Sequence, residues 1–130
     1  KGMFTCFGAQ FVCTHYDTKQ FITSLDNYLS DNVFKSNHII CGDININLFS
    51  NSYEYNAYLN TLAKFGYTST INDFTRVSGN SKTRIDHIFI KQYKPTNDHT
   101  IFDSGRFYAY ILKCNITDHF CTIIINEMLQ

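Results

Sequence analysis

The sequence predicts an α/β fold in which a mixed, mostly antiparallel sheet carries helices on one face. Residues 18–30 and 53–65 place apolar side chains at helical spacing. Between and after these segments, short runs rich in β-branched and aromatic residues indicate strands. Helices and strands alternate early in the chain and strands dominate late. That order is expected when helices pack against one side of a sheet.

Both predicted helices have recognisable ends. Thr18 is a suitable cap for the first helix, which Ser30-Asp31-Asn32 terminates. Gly66 is a natural stop for the second helix. Ten side chains form the two apolar faces: Phe21, Ile22, Leu25, Tyr28 and Leu29 in the first helix, and Tyr55, Tyr58, Leu59, Leu62 and Phe65 in the second.

The predicted strands differ in how much of each face is apolar. Residues 38–42 form a short apolar run closed by Gly42, which is typical of a strand buried on both faces. Residues 78–82, Ser-Gly-Asn-Ser-Lys, form a turn cluster. The remaining segments are one or two strands in 3–16, an extended stretch in 67–75, strands in 84–91, 106–113 and 119–126, and a polar loop in 93–100.

Length and charge limit the classes of function. The chain has 130 residues, enough for a single domain, and 44% of them are hydrophobic. Lys plus Arg and Asp plus Glu both number 11, so a polybasic nucleic-acid-binding protein is excluded. No apolar run approaches the roughly 18 residues of a membrane span, so we expect no membrane partner.

The cysteine pattern indicates a reducing compartment. The five cysteines cannot all pair internally, none has C-x-x-C spacing, and each lies in an apolar run. Buried free thiols are the better interpretation than disulfides or a zinc site. We therefore expect an intracellular protein of the cytoplasm or nucleus.

Three polar clusters interrupt the apolar strands. They are Cys41-Gly42-Asp43-Ile44-Asn45, Arg84-Ile85-Asp86-His87-Ile88 and Thr117-Asp118-His119. Carboxylates at strand ends are costly to bury and usually face a cleft or a partner. Carboxylates, an amide and a histidine together suit phosphodiester hydrolysis assisted by a hard divalent cation. The alternative is structural, with Asp43 and Asn45 in an Asx turn and His119 at the solvent-facing start of a strand.

The order and spacing of these clusters resemble the endonuclease/exonuclease/phosphatase superfamily, and most closely its LINE-type retrotransposon endonucleases. The matching segments are Gly42-Asp43-Ile44-Asn45, Thr75-Arg76 followed by Arg84-Ile85-Asp86-His87-Ile88, and Thr117-Asp118-His119, with Thr in place of the usual Ser. The resemblance implies Mg²⁺-dependent nicking of DNA. It also implies a four-layered α/β sandwich, of which residues 1–130, as a single truncated domain, cover the C-terminal half.

The resemblance implies a role for each matching residue. Asp43 would activate the attacking water, Asn45 would donate to a phosphate oxygen, and His119 would contact the scissile phosphate. Asp86 would accept a hydrogen bond from His119 and orient it. Asp118 would bind Mg²⁺. Three residues of the hairpin would contact nucleic acid: Thr75, Arg76 and Arg84. His87 lies next to Asp86 but points to the opposite face of the strand, so we predict a structural role for it.

The first half of such a domain supplies a glutamate that is a principal metal ligand, and this sequence offers only Glu54 and Glu127 at unrelated places. We therefore expect weak Mg²⁺ binding and low or absent activity for the isolated chain. A sheet face without its other half would expose apolar area. We expect a homodimer or a second polypeptide to cover it. The alternatives are a non-enzymatic interaction or dimerisation module and, less favoured, a phosphoesterase acting on a small substrate.

Overall fold

The computed structural model describes residues 17–32, 37–93, 106–114 and 116–127. The elements in chain order are α1 Thr18–Asp31, β1 His38–Asp43, α2 Tyr53–Lys64, β2 Thr68–Ser69, β3 Arg76–Ser78, β4 Ser81–Thr83, β5 Asp86–Lys91, β6 Arg106–Leu112 and β7 Cys121–Glu127. This mix of helices and antiparallel sheets confirms the predicted α/β class. The predictions for residues 3–16 and 94–100 lie outside the described residues, and the four-layered sandwich stays a prediction.

Both helices are capped by side chains. The Asp17 carboxylate accepts a hydrogen bond of 2.8 Å from the Gln20 amide, so α1 is capped one residue before the predicted Thr18. Ser52 caps α2 by accepting from the Tyr55 amide at 3.1 Å. Gly66 follows α2 with a φ of 81°, a conformation that glycine adopts without strain, and confirms the predicted stop.

The main sheet has the strand order β1-β5-β2, and both pairings are antiparallel. Strand β5 is therefore central, and β1 is an edge strand among the described residues. For this reason the prediction that β1 is buried on both faces is wrong, and Cys41, Gly42 and Asp43 are exposed. The register pairs Asp43 with Asp86, which brings the polar ends of β1 and β5 together.

The hydrophobic core lies between the two helices and one face of β5. Tyr58 and Leu62 of α2 are fully buried, and Phe89 of β5 packs edge-on against the Tyr58 ring. Leu25 of α1 completes this cluster. His87 lies on the same face of β5 and is 1% exposed, which agrees with the structural role predicted for it. Asp86 lies on the opposite face of β5, where Ile88 and Ile90 are also buried, so β5 is covered on both faces and only its two end residues are partly accessible.

Strands β6 and β7 form a separate antiparallel hairpin with one apolar face in solvent. Five large side chains of this face are exposed: Tyr108, Tyr110, Leu112, Ile123 and Ile125. The cysteines of the described residues are free, but Cys41 and Cys121 are exposed, so the prediction of buried thiols is wrong at those two positions. Cys41 lies in the exposed second half of β1, and Cys121 is the exposed first residue of β7. Neither described helix is long and apolar enough to cross a bilayer.

Candidate active site

Two carboxylates from distant parts of the sequence become neighbours across the main sheet. Asp43 ends β1 and Asp86 begins β5, and the antiparallel register places them directly opposite each other. The pairing continues beyond the strands, because the Ile44 amide donates to the Ile85 carbonyl at 2.9 Å. The polar ends of both strands are thus held together at the edge of the sheet where β1 ends and β5 begins.

His119 completes the group from the segment that leads into β7. Its Nδ1 lies 3.1 and 3.2 Å from the two carboxylate oxygens of Asp86 and 4.0 Å from Oδ2 of Asp43. The Asp86 side chain is 15% exposed and the His119 side chain 32% exposed, so the contact is partly shielded from water. The predicted contact between Asp86 and His119 is therefore present. We call Asp43, Asp86 and His119 the carboxylate–histidine cluster.

Asn45 occupies an unusual backbone conformation beside Asp43. Its φ is 57°, in the left-handed region that asparagine tolerates better than most residues. Its amide donates to Oδ1 of Asp43 at 3.2 Å, which closes an Asx turn. The structure thus contains the Asx turn that the structural alternative predicted, and the exposed Asn45 is joined through its backbone amide to Asp43 of the cluster.

Asp118 lies outside the carboxylate–histidine cluster. Its Oδ2 accepts from Nε of Arg76 at 2.7 Å, and the Val77 amide donates to its backbone carbonyl at 2.8 Å. The hydrogen bond from Arg76 lowers the pKa of the Asp118 carboxyl below its usual value. A cation bound by Asp118 would have to compete with the Arg76 guanidinium.

Two of the three residues predicted to contact nucleic acid have their side chains turned inward. Thr75 is fully buried, and its hydroxyl accepts hydrogen bonds from backbone amides of the same domain. Arg84 donates to the carbonyl oxygens of Ile71 and Leu48 and stacks over the Phe49 ring at 5.0 Å. These groups hold adjacent loops together from within. Of the three, Arg76 remains near the surface, paired with Asp118.

Asn47, for which the sequence motifs predicted no role, organises the same loop. Its Oδ1 accepts from the Arg84 amide at 3.0 Å and from the Phe49 amide at 3.1 Å. Asn47 therefore joins the loop after β1 to the chain just before β5. The sequence feature that could have predicted this role is the position of Asn47 in the loop after β1, two residues beyond Asn45, because asparagine side chains in turns often bond to nearby backbone groups.

Comparison with known proteins agrees with the motif order. The family model described as Endonuclease/Exonuclease/phosphatase family matches residues 13–119. The chain belongs to the endonuclease/exonuclease/phosphatase family. Comparison with curated proteins and with solved structures gave no significant match. Family membership establishes descent from hydrolases of the nuclease or phosphatase type.

Members of this family typically use divalent metals, and the cluster has donor atoms that suit one. One potential ligand atom from each of Asp43, Asp86 and His119 lies within 4.8 Å of the others. Two carboxylates supply the oxygen ligands that hard cations prefer, whereas an imidazole is better suited to transition metals. The carboxylates therefore fit the divalent cation expected of an endonuclease/exonuclease/phosphatase domain, while His119 is already engaged by Asp86.

Proposed function

We propose that the chain carries the hydrolytic part of a Mg²⁺-dependent DNA endonuclease that nicks one strand, as LINE-type retrotransposon endonucleases do. One observation carries the proposal, namely that Asp43, Asp86 and His119 converge at one edge of the sheet from three separate segments. A paired carboxylate and histidine beside an exposed second carboxylate is suited to general acid–base work at a phosphate.

We propose a distinct task for each residue. Asp86 accepts from Nδ1–H of His119, which orients the ring and directs Nε2 toward the phosphate. The Asp43 carboxylate, which is more exposed than that of Asp86, takes a proton from a water molecule. The oxygen of that water attacks phosphorus while the bond from phosphorus to the leaving oxygen breaks. Asn45 donates its side-chain amide to a non-bridging phosphate oxygen, where negative charge accumulates.

Magnesium binding involves carboxylates of this chain and a group from outside it. Asp118 would hold the ion in competition with the Arg76 guanidinium, and the ion when bound would supply Lewis-acid stabilisation of the phosphate oxygens. Glu54 lies in the first turn of α2, and Glu127 accepts from the Tyr108 hydroxyl at 3.2 Å, so neither belongs to the cluster. We therefore propose that the chain corresponds to the C-terminal half of such a domain and that another polypeptide segment contributes the principal glutamate.

Nicking of supercoiled plasmid in the presence of Mg²⁺ tests this function. We expect Asp43→Asn and His119→Gln to abolish the nicking that the chain produces at high concentration, and EDTA to do the same. Asp73→Asn is the matched control, because Asp73 is an exposed carboxylate paired with Lys113 and lies outside the cluster. Absence of nicking by the wild-type chain at high concentration would refute the activity for this chain. Equal loss in Asp73→Asn would refute the site assignment.

The same proteins distinguish DNA from a small substrate. If bis(p-nitrophenyl) phosphate is hydrolysed at a rate that depends on Asp43 while plasmid stays supercoiled, the phosphoesterase alternative replaces the endonuclease. If plasmid is nicked and the small diester is cleaved poorly, binding to the DNA backbone contributes to the rate.

A second candidate function, a dimerisation module, is favoured by the exposed apolar face of the β6–β7 hairpin. Tyr110 is 52% exposed and Leu112 is 57% exposed on strands that otherwise have regular pairing. An apolar face of this kind can associate with a second copy about a two-fold axis. Sedimentation should show a dimer that Tyr110→Lys dissociates and that Tyr53→Lys, altering an exposed tyrosine of α2, leaves intact. A soluble monomer of the wild-type chain at micromolar concentration would contradict this function.

A further inference from the structure

One buried residue, Thr75, connects the two segments that supply the Asp86–His119 pair. It immediately precedes β3 and is completely inaccessible to solvent. Threonine in a core is unusual unless its hydroxyl has partners, because an unpaired buried hydroxyl is destabilising. The partners of Thr75 therefore indicate why a polar residue is placed there.

The Thr75 side chain holds the segment that carries Asp86. Its hydroxyl oxygen accepts from the Ile85 amide at 3.1 Å and from the Asp86 amide at 3.0 Å. These two donors lie where the chain enters β5, and Ile44, which follows β1, donates to the Ile85 carbonyl rather than accepting from these amides. The hydroxyl thus fixes the backbone from which the Asp86 carboxylate projects.

The Thr75 backbone holds the segment that carries His119. Its carbonyl accepts from the Phe120 amide at 2.7 Å, and its own amide donates to the Thr83 carbonyl at 2.9 Å. The next residue, Arg76, forms an isolated antiparallel β-bridge with His119 itself. A change in the position of Thr75 would therefore move both members of the pair relative to each other.

We infer that Thr75 is a positioning residue that holds His119 against Asp86. This inference rests on the proposed function for its catalytic consequence, but the geometry that it concerns can be measured without activity. Thr75 itself contacts neither the imidazole nor the carboxylate. It acts through the backbone of Asp86 on one side and of Phe120 on the other.

Thr75→Val and Thr75→Ser form a matched pair of variants. Valine has the same shape but no acceptor for the Ile85 and Asp86 amides, whereas serine keeps the hydroxyl and loses a methyl group. The primary readout is the ¹⁵N spectrum of the His119 imidazole at fixed pH, which reports whether Nδ1–H is bonded to a carboxylate. Asp86→Asn supplies the reference spectrum for a lost contact.

We expect the Thr75→Ser spectrum to match wild type and the Thr75→Val spectrum to shift toward Asp86→Asn while the protein stays folded. If the wild-type chain nicks plasmid, Thr75→Val should have a kcat about tenfold or more below that of wild type and a KM within about twofold of it. Thr75→Ser should keep a kcat close to that of wild type. A wild-type-like imidazole spectrum for Thr75→Val overturns the inference. Absence of nicking by every variant refutes only the proposed function, because the spectra are independent of it.

A second variant decides the question if Thr75→Val does not fold. Ligation at Cys114 allows the Phe120 amide to be replaced by an ester, which removes the N–H donor to the Thr75 carbonyl and keeps every side chain. We expect this ester to broaden or shift the His119 imidazole signals. Unchanged signals in a folded ester variant overturn the inference.

Discussion

Replacement of His87 by Gln should remove much of the acid sensitivity of the folded protein. The His87 ring is buried between Tyr58 and Phe89, with ring centroids 5.4 and 6.0 Å away. Its Nε2 lies 3.1 Å from the Arg84 carbonyl and its Nδ1 lies 3.3 Å from the Tyr58 hydroxyl. A neutral ring satisfies both contacts, since Nε2–H donates to the carbonyl and Nδ1 accepts from the hydroxyl.

Burial lowers the pKa of His87 from 6.5 to about 4, because the charged ring would lose its hydration. Above pH 6.5 the ring is neutral in both the folded and the unfolded chain, so the difference in its pKa between the two states does not lower the free energy of unfolding there. As the pH falls from 6.5 to about 4, the unfolded chain binds a proton that the folded chain does not. At about 1.4 kcal/mol for each tenfold difference in proton affinity, about 3 kcal/mol of stability is lost across this range.

Urea unfolding of wild type and His87→Gln at several pH values between 4 and 7.5 measures this contribution. His87→Gln loses ring packing, so we expect it to be less stable at pH 7.5. The free energy of unfolding of wild type should fall, relative to that of His87→Gln, by about 2 to 3 kcal/mol as the pH is lowered. His38, whose pKa burial also lowers, is present in both proteins and cancels. Parallel curves would refute the reasoning.

Three further changes have expected outcomes. Leu62→Ala, at a fully buried core position, should lower the free energy of unfolding by about 3 kcal/mol in urea. Asp17→Ala removes the cap of α1 and should cost about 1 kcal/mol, whereas Asp17→Asn should cost less. Arg76→Met removes the competitor for Asp118 and should increase Mn²⁺ broadening of the Asp118 amide signal severalfold. Unchanged broadening would indicate that Asp118 is not a ligand.

The two helices and the turn after β3 could be predicted because their signals are local. Apolar residues at helical spacing lead to α2, and Gly66 ends it as expected. Within the predicted turn cluster 78–82, only Gly79 and Asn80 form the turn between β3 and β4, and Gly79 has a φ of 58°; Ser78 ends β3, and Ser81 and Lys82 belong to β4. Each of these depends on interactions within a few residues of the chain.

The inward orientation of Thr75 and Arg84 could not be predicted in the same way. Both belong to a motif that the family resemblance associates with a nucleic-acid contact, yet their partners lie ten or more residues away. Exposure of β1 likewise depends on which strands flank it, and an apolar run is equally consistent with a central strand. The Arg76–Asp118 ion pair joins residues that are 42 positions apart.

The sequence by itself determined the α/β class, the family and the residue types available for chemistry, because periodicity and motif order are properties of the chain. It also indicated the pairing of Asp86 with His119. Only the tertiary structure decided that Asp43 joins this pair, that Asp118 is held by Arg76, and that Thr75 connects the segments from inside. These outcomes depend on strand register and burial, which arise when distant segments compete for the same space and the same hydrogen-bond partners.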